Sequence, residues 1–125
     1  MSNLDVNGAI TVGEIAKPAT ITSTATSAGV DITSFEGKLK CTLNVGAVSG
    51  TSPVNTAKLQ DSADDSTYAD ISGATYTAVS AANSIESIAV DTRSTDKYIR
   101  AVQTLTGTSP SFASALYYAG QKKVR

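Results

Sequence analysis

Between Lys38 and Val45 the chain alternates without a break: Leu39, Cys41, Leu43 and Val45 are apolar, and Lys38, Lys40, Thr42 and Asn44 are polar. A period of two belongs to a strand with one face on a core and the other in water. The four odd residues are therefore predicted inward, and Cys41 reads as a small core residue rather than a reactive thiol. Weaker strand patterns follow at Thr56 to Gln60, Tyr68 to Ile71, Thr75 to Val79, Ile85 to Val90, Lys97 to Leu105 and Phe112 to Gly120, with turn-forming Gly, Ser, Asp and Asn between them. In the strand from Lys97, parity turns Ile99, Ala101 and Leu105 inward and Tyr98, Arg100 and Val102 outward. In the last strand Phe112, Leu116 and Tyr118 share one face, and Tyr117 shares the other with Ala113 and Ala115. Ser80 to Asn83 has the length of one helical turn, but no segment of ten residues keeps an apolar stripe at helical spacing. Short strands on short connections predict an all-β fold, an antiparallel β-sandwich of jelly-roll or immunoglobulin-like type.

Gly50-Thr51-Ser52-Pro53 recurs as Gly107-Thr108-Ser109-Pro110, each time between predicted strands. Glycine supplies free φ and proline cannot donate to a central ladder, so both copies are predicted to be hairpin loops. The first 29 residues differ in character. Leu4, Val6, Ile10, Val12 and Ile15 are spaced aliphatics, Lys17-Pro18 breaks the run, and Thr20 to Gly29 is almost wholly Thr, Ser and Ala. Residues 1–29 read as an N-terminal arm that adds an edge strand to the sheet or reaches a neighbour by strand addition, and residues 30–125 as the sandwich domain.

Composition narrows the functions open to such a fold. Ala, Ser and Thr fill 51 of 125 positions, whereas Val, Ile, Leu and Phe fill 26. A core this thin points to burial against copies of the chain or a larger assembly. Ten Lys and Arg against 11 Asp and Glu leave a net charge of -1, and the one basic cluster is Lys122, Lys123 and Arg125, so nucleic acid is not expected as a partner. Histidine is absent and Cys41 is the single cysteine, which excludes an intrachain disulfide and Ser-His or Cys-His catalysis. No apolar run reaches membrane-spanning length, and Met1 to Ile10 lacks the pattern of a signal peptide, so no membrane partner is expected.

Candidate chemistry is sparse. Asp61, Asp64, Asp65 and Asp70 fall in or beside one loop, a set of hard oxygen ligands that suits calcium, although the EF-hand spacing is missing and Asp also makes good turns. Paired acids for glycoside hydrolysis lack both an apolar pocket and a Trp platform. Phosphate-binding loops are absent, and neither a cofactor nor a catalytic residue is expected. Tyr98 and Arg100 on an outward strand face, and Tyr117 among small neighbours, are candidate partner contacts. Arg100 has Asp91, Asp96 or an acid on a partner as potential mates.

The strings Val30-Asp31-Ile32-Thr33-Ser34-Phe35-Glu36-Gly37-Lys38-Leu39, Leu43-Asn44-Val45-Gly46, Lys58 to Ser62 running into Asp64 to Ile71, and Lys97-Tyr98-Ile99-Arg100-Ala101-Val102 carry a resemblance. Together they resemble the small head decoration, or cement, proteins of tailed bacteriophages, over roughly residues 30 to 123. The resemblance implies a non-enzymatic β-sandwich on the capsid exterior, often trimeric, that staples neighbouring major capsid subunits after synthesis in the host cytoplasm. Multivalent clamping on a symmetric lattice would supply its avidity. Two other readings stand beside it: a carbohydrate-binding or host-attachment module using Tyr68, Tyr76, Tyr98, Tyr117 and Tyr118, and a neck or tail component.

Overall fold

The structure, a computed structural model, describes residues 10–122. The chain forms seven strands, β1 (Ile10–Ile21), β2 (Ala25–Thr26), β3 (Val30–Asp31), β4 (Phe35–Ser62), β5 (Ala69–Thr75), β6 (Ser84–Asp91) and β7 (Tyr98–Lys122), and no helix among the described residues. All pairings are antiparallel and join the strands into one sheet. The all-β antiparallel expectation holds.

Two strands of unusual length organise the molecule. β4 and β7 pair from Phe35↔Lys122 at one end to Ser62↔Tyr98 at the other. Each half of this ribbon gains its own flanks. The half with Phe35 to Val45 and Phe112 to Lys122 carries β1 on one side and β6 on the other. The half with Val54 to Ser62 and Tyr98 to Thr106 carries β2 and β3 on one side and β5 on the other. The ribbon folds back on itself, bringing Ser114 Oγ to 2.8 Å from Gln103 Oε1 although both lie in β7. Two layers result, and they are halves of one continuous sheet. Alternation faces both toward a shared core: Leu39, Cys41, Leu43 and Val45 from one layer, Ala57, Leu59, Ile99 and Ala101 from the other, with Phe112 and Leu116. Leu39, Cys41, Leu43, Val45, Ile99 and Ala101 are inward as periodicity predicts, and Phe112 and Leu116 share a face as expected. Leu105 is half-buried, and the inward position before it, Gln103, holds a polar side chain.

The fold-back lies at the repeated Gly-Thr-Ser-Pro, which corrects the hairpin expectation. Both copies lie inside strands and face each other, with Thr51 paired to Thr108. Gly50 and Gly107 take φ of 116° and 109°, and Ser52 and Ser109 take 50° and 48°. The matched geometry makes the corner locally two-fold symmetric. A Cβ on Gly50 would lie 2.6 Å from the Ser109 carbonyl oxygen, and one on Gly107 would lie 2.5 Å from that of Ser52. Register shifts flank the corner, so Pro53 and Pro110 fall where the ladder is already interrupted and their missing N–H groups cost no regular pairing. The chain does turn here, but two strands turn together.

Two other expectations change, and the N-terminal segment takes the edge-strand alternative over the described residues. Residues 80–83 form bends instead of a helical turn, and Asn83 donates its N–H to the Gly46 carbonyl. The segment expected as a strand from Thr75 to Val79 is irregular after Thr75. It crosses the end of the core, burying Tyr76 and Val79, with Tyr76 donating its hydroxyl to the Cys41 carbonyl at 2.7 Å. Residues 10–31 run alongside β7 through both layers, and Ile15 joins the core at 5% exposure.

Candidate functional site

The outer face of the first layer is built by the residues that alternation turns away from the core. One row across it runs Glu14, Tyr117, Thr42 and Ser87, and the next runs Val12, Ala119, Lys40 and Ala89. Ala115, Asn44 and Ile85 continue it on the other side of Tyr117. Val12 and Ile85, at opposite edges, are 66% and 70% exposed, and they are the large hydrophobic residues left most open to water among the described residues. Thr42 and Ser87 spend their hydroxyls on each other at 2.8 Å. Around Tyr117, the bulged end of β1 at Pro18 and Ala19 forms a shallow recess with Asn44, Gly46 and Ala113. Glu14 and Lys40 are the charges in these rows, and Lys38 with its register partner Asp91 continues the face beyond Lys40, so the apolar area is concentrated around Tyr117 and Ile85.

The outer face of the second layer is spent on internal contacts. Arg100 lies opposite Gln60 on the neighbouring strand, donates from Nε to Gln60 Oε1 at 2.9 Å, and stacks its guanidinium 4.0 Å from the Tyr68 ring centroid. Tyr68 donates in turn to Asp65, and Gln60 donates to Asp70 at 2.8 Å. Burial and the Asp65 carboxylate push the Tyr68 hydroxyl up to about 12. Arg100 is thus committed to its own sheet, and Asp91, one of the acid mates expected for it, pairs with Arg93 instead.

The Asp-rich loop does not converge on a cation. Asp64 caps its own turn, accepting from Ser62 Oγ and from the N–H groups of Ser66 and Thr67, and these bonds hold its carboxyl below the usual range. Asp70 pairs with Lys58 at 3.0 Å, Asp61 accepts from Asp96, and Asp65 accepts from Tyr68. Each acid has a separate partner, and the described residues hold no cluster of three or more potential metal ligands. Cys41 is fully buried, and burial pushes its thiol up to about 12.

Of the residues singled out as partner contacts, Leu4 and Val6 lie outside the described residues. Val12 and Tyr117 meet on the first outer face, with Ile10 half-buried at the start of β1. Ile15 is corrected to a core residue, because the strand's alternation turns it inward. Tyr98 and Arg100 lie on the other layer and do not join the first group. Tyr76 is core, and Tyr118 packs edge-on to Phe35 with ring centroids 5.5 Å apart, so neither is a surface platform. Sequence reasoning missed Ile85. The β6 pattern carries isoleucine on both parities, and Val90 is what identifies the side of Ile88 as inward. The sequence was compared with protein-family models and with curated proteins. Neither comparison found a match.

Proposed function

We propose that this chain is a non-enzymatic structural protein of a virus particle, one that attaches to the outside of a tailed-phage capsid and staples neighbouring major capsid subunits. The observation that carries this reading is the outer face of the first layer, a four-stranded surface of small residues with Val12, Tyr117 and Ile85 across it and few charges. Such a face suits repeated shallow contact with a large partner, in which avidity from many copies replaces a deep pocket. The resemblance of residues 30 to 123 to decoration proteins points the same way. The separate engagement of the acids and the burial of Cys41 favour binding over catalysis. Self-association into trimers, with the same face shared between copies and shell, belongs to this reading.

The test is the copy number of the chain in purified particles from its source, by quantitative mass spectrometry against the major shell protein. One copy per shell subunit, or a simple fraction such as one third, supports a lattice-wide cement role. A handful of copies per particle moves the chain to the neck or tail, and none removes it from the virion.

A further inference from the structure

Between the end of β1 and the start of β2 the chain passes from one layer to the other, and the seam beside it opens into a cleft of about 440 Å3. Ile15, Ala25 and Val30 give it aliphatic walls. Gln103 and Ser114 also line it, and they are buried polar side chains at 3% and 6% exposure. Gln103 Oε1 accepts two hydrogen bonds, from Asn55 Nδ2 at 3.0 Å and from Ser114 Oγ at 2.8 Å. Its amide nitrogen, which carries two donors, has no partner among the described residues. Asn55 Oδ1, also buried, has no donor either.

The Gln103 nitrogen is not among the polar atoms shut off from solvent, so it presents donors at the cleft while Oε1 holds Asn55 and Ser114. A mainly aliphatic cleft with a few convergent polar groups is the usual form of a small-molecule site. Charge selects further. Glu14 and Lys17 are exposed beside the cleft and offset each other, and no charged group accompanies the buried trio, so a charged ligand group would lose its hydration without compensation.

We propose that this seam binds a small neutral molecule consisting of a short aliphatic chain and one carboxamide, or a similar group that both donates and accepts, which pairs with the Gln103 amide. The site is independent of capsid attachment.

Hexanamide is a suitable probe, titrated into the full-length 15N-labelled chain at pH 7 and followed by amide chemical shifts. Saturable shifts at Ile15, Ala25, Val30 and Gln103 are expected, with a dissociation constant on the order of 1 mM for so small a ligand. Hexanoate, charged at this pH, should bind at least about tenfold more weakly. Gln103→Met keeps the volume and removes the donor, and should weaken hexanamide about tenfold. Because that change also strands Asn55 and Ser114, Ala28→Phe is the companion variant: Ala28 lines the cleft, is exposed and is not paired with Asn55, Gln103 or Ser114, so the ring blocks the cleft and should abolish the shifts. Shifts that do not saturate, that fall outside the cleft, or that persist in Ala28→Phe would overturn the site. Hexanoate binding as tightly as hexanamide would overturn the ligand class.

Discussion

A serine held at φ near +50° inside a strand is under strain, and Ser52 and Ser109 are held there at matching places in the corner. Non-glycine residues in the left-handed region cost on the order of 1 kcal/mol or more. The neighbouring glycines carry a harder constraint, since a Cβ on Gly50 or Gly107 would meet backbone atoms of the opposite copy that cannot move aside. Substitution at the two residue types therefore differs in size. Ser52→Gly, which trades strain relief against a more flexible unfolded chain, should change stability by less than about 1 kcal/mol, whereas Gly50→Ala should cost more than about 1 kcal/mol, as read from urea midpoints. Equal losses from both would mean that the corner is not strained as described. Asp64 gives a second prediction at this scale. Its carboxyl is held low by the turn it caps, so its contribution is present above the unfolded value and is lost as pH falls through the folded one. Asp31, Asp70 and Asp91 are lowered in the same way, by bonds from Thr33, from Gln60 and Lys58, and from Arg93. Stability should hold from neutral pH to about 4 and fall below it. Asp64→Asn, which no longer titrates, should show a shallower fall than the parent in denaturation curves at pH 7 and pH 3.

At the scale of elements, β1 joins two roles that the sequence pattern kept apart. Its spaced aliphatics suggest an arm, yet its alternation also suits an edge strand, and only long-range pairing decides how each residue is used. Ile15 enters the core, while Val12 stays outside. Removing residues 1–17 would therefore strip the β7 edge and remove a core side chain, so a loss of attachment in that deletion would not isolate a contact. Ile15→Ala should cost about 2 kcal/mol or more in chemical denaturation. A full-stability Ile15→Ala would contradict its place in the core. The same contrast explains what was legible. Leu39 to Val45 and Ile99 to Ala101 could be oriented from local periodicity, because a strand's parity is written in adjacent residues. The corner could not, since Gly-Thr-Ser-Pro looks alike whether one strand reverses or two turn together. Its meaning depends on Thr51 meeting Thr108 far along the chain. The Asp-rich loop shows the same limit: residue types are compatible with ligation, whereas geometry distributes Asp61, Asp64, Asp65 and Asp70 among Asp96, Ser62, Tyr68 and Lys58.

For the whole molecule, the question is how a chain with so few large apolar residues can hold a partner at all. Among the described residues its core takes most of them, leaving Val12 and Ile85 most exposed at the edges of one face with Tyr117 between them. With Glu14, Lys38, Lys40 and Asp91 toward the margins of the face, attachment centred on Tyr117 and Ile85 should be driven by apolar contact and shape, so raising salt to about 1 M, where the screening length is about 3 Å, should leave occupancy on capsids unchanged. Ile85→Lys places a charge where the side chain is 70% exposed, and should alter the stability of the free protein by less than about 0.5 kcal/mol. On a capsid the same substitution would bury an unpaired ammonium and should reduce occupancy at least tenfold, as should Tyr117→Ala by removing the central ring. Arg100→Ala, on the other layer, serves as the control: it removes the Tyr68 stack and so costs some stability, but leaves occupancy intact. Occupancy can be read by sedimenting stripped capsids with each purified variant and quantifying the bound protein. Loss with Arg100→Ala and retention with Ile85→Lys would transfer the contact to the second layer. Loss of binding at high salt with Ile85→Lys and Tyr117→Ala both binding like the parent would remove the apolar face from the interface altogether.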